Sequence, residues 1–366
     1  MPTISVNGVQ CEYAELDPQL DVAFQRFYES VLSGQQPDPV TFDALVTPFL
    51  AKATTHIEHD AYFNNFTPLW SIRLRSGQGK AAAVVWPWAL RPVLAFEQSS
   101  GRQIHKGTPY YFWGMTSLLG DNLEEGYLLM HRALEEDFRT HGSKAPATPG
   151  WALATLDHDR QDQAFLPWVQ MQGSAVDARL TAYRQAHQRT LDLQALRTRF
   201  LAVPEYRDAV QLFCYSMARA RRLAAMPTEL WAGPFPAQLA FDTLFDLCLV
   251  VDAALHEKNR QQWQFIDHAT MLSARAQLGL SSADLGALNG TFRANFAGTL
   301  RSALGGTLTL PAGRGVTGLA NALAITYGCR NRGAHNVSAI PLTPDEYSRI
   351  VQAINDVLFV TIEALY

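Results

Sequence analysis

The residues best suited to chemistry in this chain crowd into one stretch, Tyr327-Gly-Cys-Arg-Asn-Arg-Gly-Ala-His-Asn336. Arg330 carries a permanent charge and a planar fork of donors that grips phosphate oxygens in pairs. His335, five residues on, has the side chain whose ordinary pKa allows proton transfer near neutrality. Asn331 can orient either partner by hydrogen bonding, and Gly333 permits a backbone turn that a side chain would resist. RNA breaks when its 2′-hydroxyl attacks the adjacent phosphate. That reaction needs a base for the hydroxyl, stabilisation of charge on the phosphorane and an acid for the leaving 5′-oxygen. Arg330, Asn331 and His335 are the residue types for such metal-independent phosphodiester cleavage. The same types have a plainer use, because cations beside a glycine close many helix C-termini, where they meet the helix dipole.

The elements around the stretch bear on that choice. Val316 to Arg330 is amphipathic, with Leu319, Ala320, Leu323 and Tyr327 on one face. Gln238 to Lys258 is apolar on most of its circumference, broken early by Asp242 and Asp246, which predicts a helix buried at the centre of a bundle. Further helices are expected over 205–226, over 262–278, and from Ser281 or Ser282 through Phe292 and Phe296 to Leu304. Gly305 to Gly315 reads as a loop. Thr343 is followed three residues later by Glu346, the spacing of a capping box, and so starts a last helix carrying Ile350, Ile354, Leu358 and Ile362. The chain therefore ends in a bundle of four or five helices. Asp252 and Glu257, late in its buried helix, are candidates to support Arg330 as charge partners.

The form Arg330-Asn331-x-x-x-His335, at a helix end in the last part of the chain, resembles the Arg-x(4–6)-His signature of the HEPN superfamily. These are small all-helical domains, many of which cleave RNA, and the likeness covers residues 204–366. It implies a homodimer in which two arginines and two histidines meet at one cleft, with no metal and no cofactor. The products would end in 2′,3′-cyclic phosphate and 5′-hydroxyl. Arg330, Asn331 and His335 are then catalytic, and Arg332 and Tyr327 bind the RNA substrate. Toxins and antiviral-defence effectors are common in the family. Some members are instead non-catalytic, so the alternative is a dimerising adaptor that binds a protein partner.

Composition fits a folded chain. The 366 residues are 48% hydrophobic and 17% charged, with a formal net charge of −4. From Glu205 onward thirteen Lys/Arg face thirteen Asp/Glu, so no domain carries the broad basic footprint of a protein that coats nucleic acid. Any RNA would bind at a local cluster. Cys11, Cys214, Cys248 and Cys329 are scattered without a CxxC pair, which suggests neither a zinc site nor a disulfide framework. The first residues lack a signal-peptide pattern, and the longest apolar run, Leu247 to Leu255, is interrupted by Asp252. A cytoplasmic protein without a membrane anchor is expected.

Ahead of residue 204 the chain reads as helical too, so the fold class is all-α. Residues 1–45 form an arm with a short extended segment and a helix from about Asp17 to Leu32, which Pro37, Asp38 and Pro39 break. Residues 46–203 read as a solenoid-like repeat region. Thr67-Pro68, Thr108-Pro109 and Thr148-Pro149 recur at a period near forty, each followed by aromatics, and threonine then proline is a good helix start. Tyr110, Trp113, Gly114, Gly126, Ala133 and Leu134 resemble a degenerate tetratricopeptide repeat. Such a region offers a surface for a peptide or protein partner. His56-Ile-Glu-His59-Asp60 has the spacing of a metal site, but no further ligand lies near it in sequence, and it reads as a polar surface turn or helix.

Overall fold

The computed structural model describes residues 3–6, 8–157, 165–262, 264–311, 313–333 and 340–366. The chain is mostly helical and divides into two compact units, Met1–Ala152 and Leu153–Tyr366.

The first unit opens on a short β-hairpin in an otherwise mostly helical chain. Strands β1 (Thr3–Val6) and β2 (Val9–Glu12) pair antiparallel, with Ile4 opposite Cys11. The side-chain amide of Asn65 then clamps the chain by accepting from Ala14 N at 2.8 Å and donating to Ala14 O at 2.9 Å. Helix α1 (Pro18–Leu32) starts where Asp17 accepts from Gln19 N. Helix α2 (Pro39–Lys52) starts in the same way from Asp38, so the acid–proline pairs that interrupt the chain also begin its next helices. Phe24, Phe27, Phe42, Tyr62 and Phe66 meet edge-on or tilted in the core between α1, α2 and the helices that follow.

Next come α3 (His56–Asn64), α4 (Thr67–Arg75), α5 (Gly79–Ala83), α6 (Val85–Ser100), α7 (Gly107–Leu119) and α8 (Leu123–His141). Helices α7 and α8 form a close hairpin. A Cβ on Gly126 would lie 2.5 Å from Leu118 Cγ, and one on Gly114 would lie 3.0 Å from Gly126 O. These two glycines let the backbones approach. The three Thr-Pro pairs do stand at helix starts, and neither Thr67 nor Thr108 caps its helix through the hydroxyl. Thr67 donates to Asn64 O, Thr108 to Asp60 and Thr148 to Ala145 O. Proline in the first turn, where a missing N–H costs nothing, is the common signal.

Helix α9 (Pro149–Ala154) runs across the division. The second unit contains α10 (Leu166–His187), α11 (Leu193–Leu196), α12 (Arg207–Ala224), α13 (Pro234–Lys258), α14 (Phe265–Arg275), α15 (Ser282–Ala294), α16 (Phe296–Leu304), α17 (Gly318–Gly333) and α18 (Pro344–Leu365). Helix α13 packs against α12, α14, α17 and α18, and α17 packs along α18. This central place accounts for the apolar circumference of α13. Ser281 and Thr343 build the capping boxes of α15 and α18. The run expected from Ser281 to Leu304 is two helices, because Asn295 leaves helical geometry and caps α16 by accepting from Gly298 N.

The division falls after Ala152 rather than near Pro204, because α10 is tied to α18. Tyr183 Oη donates to Glu363 at 2.7 Å, His187 Nε2 lies 3.0 Å from Asp356, and Arg179 donates to Ser348 O at 3.1 Å. Among the described residues no helix is long and apolar enough to cross a membrane.

Candidate functional site in the second unit

Three helices meet at Asp252. It sits late on α13, and its two carboxylate oxygens take different partners. Oδ2 accepts from Arg330 Nη2 of α17 at 3.1 Å, and Oδ1 lies 3.1 Å from His268 Nδ1 of α14. The other ring nitrogen of His268 is 3.1 Å from Gln262 O. Both nitrogens thus face oxygen atoms, one of a carboxylate and one of the backbone. His268 is buried, whereas the side chains of Asp252 and Arg330 are 18% and 28% exposed. The cluster therefore runs from core to surface, with Arg330 outermost.

Arg330 is held on a second side by an aromatic. Its guanidinium carbon lies 5.5 Å from the centre of the Phe265 ring, and that ring stacks on Tyr327 at 5.7 Å. Its Nε is buried without a hydrogen-bond partner. Asp252 and Phe265 together fix the direction of the guanidinium and leave its outer part in solvent. Asn331 donates to Asn289 of α15 at 3.1 Å. It also hydrogen-bonds Tyr327: burial pushes that phenol up from its ordinary pKa, and the bond from Asn331 offsets part of the rise.

Of the residues singled out in sequence, the structure brings Arg330, Asn331, Tyr327 and Asp252 together at one end of the bundle. Tyr327 is 4% exposed and packed on Phe265, so its ring cannot stack on a base; it is core, as its place on the apolar face of α17 dictates. Glu257 turns to Arg260 and not to Arg330. His335 lies outside the described residues, as does the side chain of Arg332. His268, which sequence reasoning did not single out, occupies the inner end of the cluster. Its only sequence signal is an acid and a histidine, sixteen residues apart, on consecutive helices.

Gly328 explains how α17 reaches this position. A Cβ there would lie 2.7 Å from the Phe292 ring of α15, so the glycine allows a contact that any other residue would block. Cys329 beside it is buried, and burial pushes its thiol up to about 12. It is not a nucleophile at neutral pH.

The arrangement presents a fixed, half-exposed arginine at the end of a helix, backed by an acid, with an amide one residue on. Chemically this can hold an anion; the described residues offer no nucleophile beside it. No family model, no curated protein and no solved structure matches this chain.

Proposed function

We propose that the second unit is a metal-independent endoribonuclease of HEPN type, active as a homodimer. Arg330 clamps the scissile phosphate, His335 transfers protons, Asn331 orients the reacting groups, and Arg332 adds charge from each subunit. The observation that carries the reading is the Asp252–Arg330 pair. Asp252 and Phe265 orient a guanidinium that is still 28% exposed, in the last turn before the segment carrying His335. An arginine fixed in advance needs less ordering to meet a phosphate, which is how pre-organised charge stabilises a transition state. The chain would then act in the cytoplasm as a toxin or antiviral-defence effector. The helices of residues 46–203 would serve as a tetratricopeptide-like surface for a protein or peptide partner.

The test is a denaturing-gel assay on total RNA and tRNA in EDTA, comparing the native chain with His335→Ala and Arg330→Ala. Cleavage by the native chain alone, leaving 2′,3′-cyclic phosphate ends, supports the reading. Equal cleavage by the variants overturns it. The second reading is a non-catalytic dimerising adaptor. It is favoured by the same Asp252–Arg330 pair, because the acid already balances the charge of the guanidinium. It predicts no cleavage by the native chain, with dimerisation unchanged in both variants.

A further inference from the structure

A second cluster of ionisable residues lies wholly within the first unit. His105, in the segment before α7, directs Nε2 toward two acids, 3.6 Å from Asp137 Oδ1 of α8 and 3.8 Å from Asp60 Oδ1 of α3. His141, one turn beyond Asp137, adds a ring nitrogen, and the donor atoms of His105, Asp137 and His141 all lie within 4.8 Å of one another. His56 of α3 sits at the rim, its ring edge-on to His141 at 4.8 Å. His56, His59 and Asp60 read as a polar surface turn because their companions are 45 and more residues away in sequence. In the structure His59 is buried, and Asp60 faces the cluster.

We infer that His105, Asp137 and His141 bind a first-row divalent cation of the zinc type, with Asp60, which accepts from Thr108 Oγ1 at 2.8 Å, beside the site. The donor set is mixed imidazole and carboxylate, the chemistry that such ions take. Four-coordinate zinc with ligands at about 2.0–2.1 Å places its donors about 3.3 Å apart. The His105–Asp137 separation of 3.6 Å exceeds that by only a few tenths of an ångström. Thr140 Oγ1 lies 2.9 Å from His105 Nδ1. If Nδ1–H donates to that hydroxyl, the lone pair of Nε2 points at the acids, which is the second contact that orients a metal-bound histidine.

Two further observations are independent of the donor spacing. Gly107 leaves room for the cluster: a Cβ there would lie 2.4 Å from Asp137 Oδ1 and 2.8 Å from the His105 ring. Among the described residues, neither Asp60 nor Asp137 has a lysine or arginine as an ion-pair partner, although Lys106 and Arg139 stand close by, paired to Glu97 and Glu136. Two neighbouring acids are thus left without a fixed cation. A divalent cation would tie the start of α7 to the end of α8 beside these acids.

The test uses the full chain, stripped of metal by dialysis, and titrates it with ZnCl2 by calorimetry and with CoCl2 by visible absorption. The expected result is one saturable equivalent, cobalt bands typical of four-coordinate nitrogen and oxygen donors, and a rise in Tm on adding zinc. His141 is partly exposed, so His141→Gln should fold, as far-ultraviolet circular dichroism would verify, and should lose the binding and the Tm rise. Thr140→Val keeps the shape of the residue and should weaken affinity about tenfold by freeing the His105 ring. His256→Gln, in the other unit, should change nothing. Absence of a saturable equivalent overturns the inference, and so does binding that survives His141→Gln unchanged.

Discussion

The guanidinium of Arg330 and the carboxylate of Asp252 meet at 3.1 Å across 78 residues of sequence, and the same carboxylate meets His268. One acid thereby fixes the ends of three helices. Asp252→Ala should leave His268 buried beside no acceptor at Nδ1 and release Arg330. Losing a charged acceptor from a mostly buried pair costs about 1–3 kcal/mol. The expected outcome is a fall of about 2 kcal/mol in unfolding free energy, read from urea denaturation. A double-mutant cycle with Arg330→Ala should give a coupling near 1 kcal/mol; a coupling of zero would mean that the pair is only a surface contact.

Gly328→Ala tests the contact that seats α17. Helix propensity alone favours alanine over glycine by about 1 kcal/mol. Against that stands a Cβ at 2.7 Å from the Phe292 ring, and overpacking costs about 1–3 kcal/mol. The steric term wins because an aromatic ring cannot fold away as the tip of a flexible chain can. The variant should be destabilised by about 1 kcal/mol, and adding Phe292→Leu should restore part of the loss. Equal or higher stability of Gly328→Ala would show that Phe292 moves freely.

The sequence shows some of this site plainly and hides the rest for identifiable reasons. The capping box at Thr343 is local, spans four residues and stands where its spacing puts it, and of the two serines that could cap α15 it is Ser281 that does. The burial of α13 follows from its apolar circumference. Asp252 facing Arg330 is a match of opposite charges on neighbouring helices. Tyr327 shows the limit of reading residue type before position: its aromatic ring suggests base stacking, yet it shares the face of Leu319 and Leu323 that packs inward. Gly328 looks like a weak point in a helix until Phe292 is seen against it. His105, the Asp137/His141 pair and Asp60 beside them come from three stretches whose juxtaposition depends on the α7–α8 hairpin and on α3. No spacing rule along the chain reports it.

Glu363 should make the second unit sensitive to acid. Burial alone would raise its carboxyl pKa. Hydrogen bonds from Tyr183 Oη, Thr190 N and Thr190 Oγ1, with Arg189 close by, outweigh burial and hold it below the ordinary range. A carboxyl whose folded pKa is lowered binds fewer protons folded than unfolded. Its contribution is therefore present above the unfolded value, about 4.3, and is lost as pH falls through the lower folded value. Urea midpoints of the native chain and Glu363→Gln should differ at pH 7 and converge below about pH 4.3. A difference that stays constant with pH would assign the effect to the hydrogen bonds alone.

Cys329 offers a direct reading of how firmly the Arg330 end of α17 is held. All four cysteines are free and buried, and burial pushes Cys11 up to about 11 and both Cys214 and Cys329 up to about 12. A thiol that is both hidden and protonated reacts only when the structure opens. At neutral pH the native chain should therefore resist a chromogenic disulfide reagent, and in concentrated urea it should release four equivalents. In the variant Asp252→Ala, Cys329 should become the first thiol to react, identified by peptide mass, because the last turn of α17 loses its tie to α13. If Cys329 remains as slow as Cys214 in that variant, the turn is held by Phe265, Asn289 and the Phe292 contact without help from the ion pair.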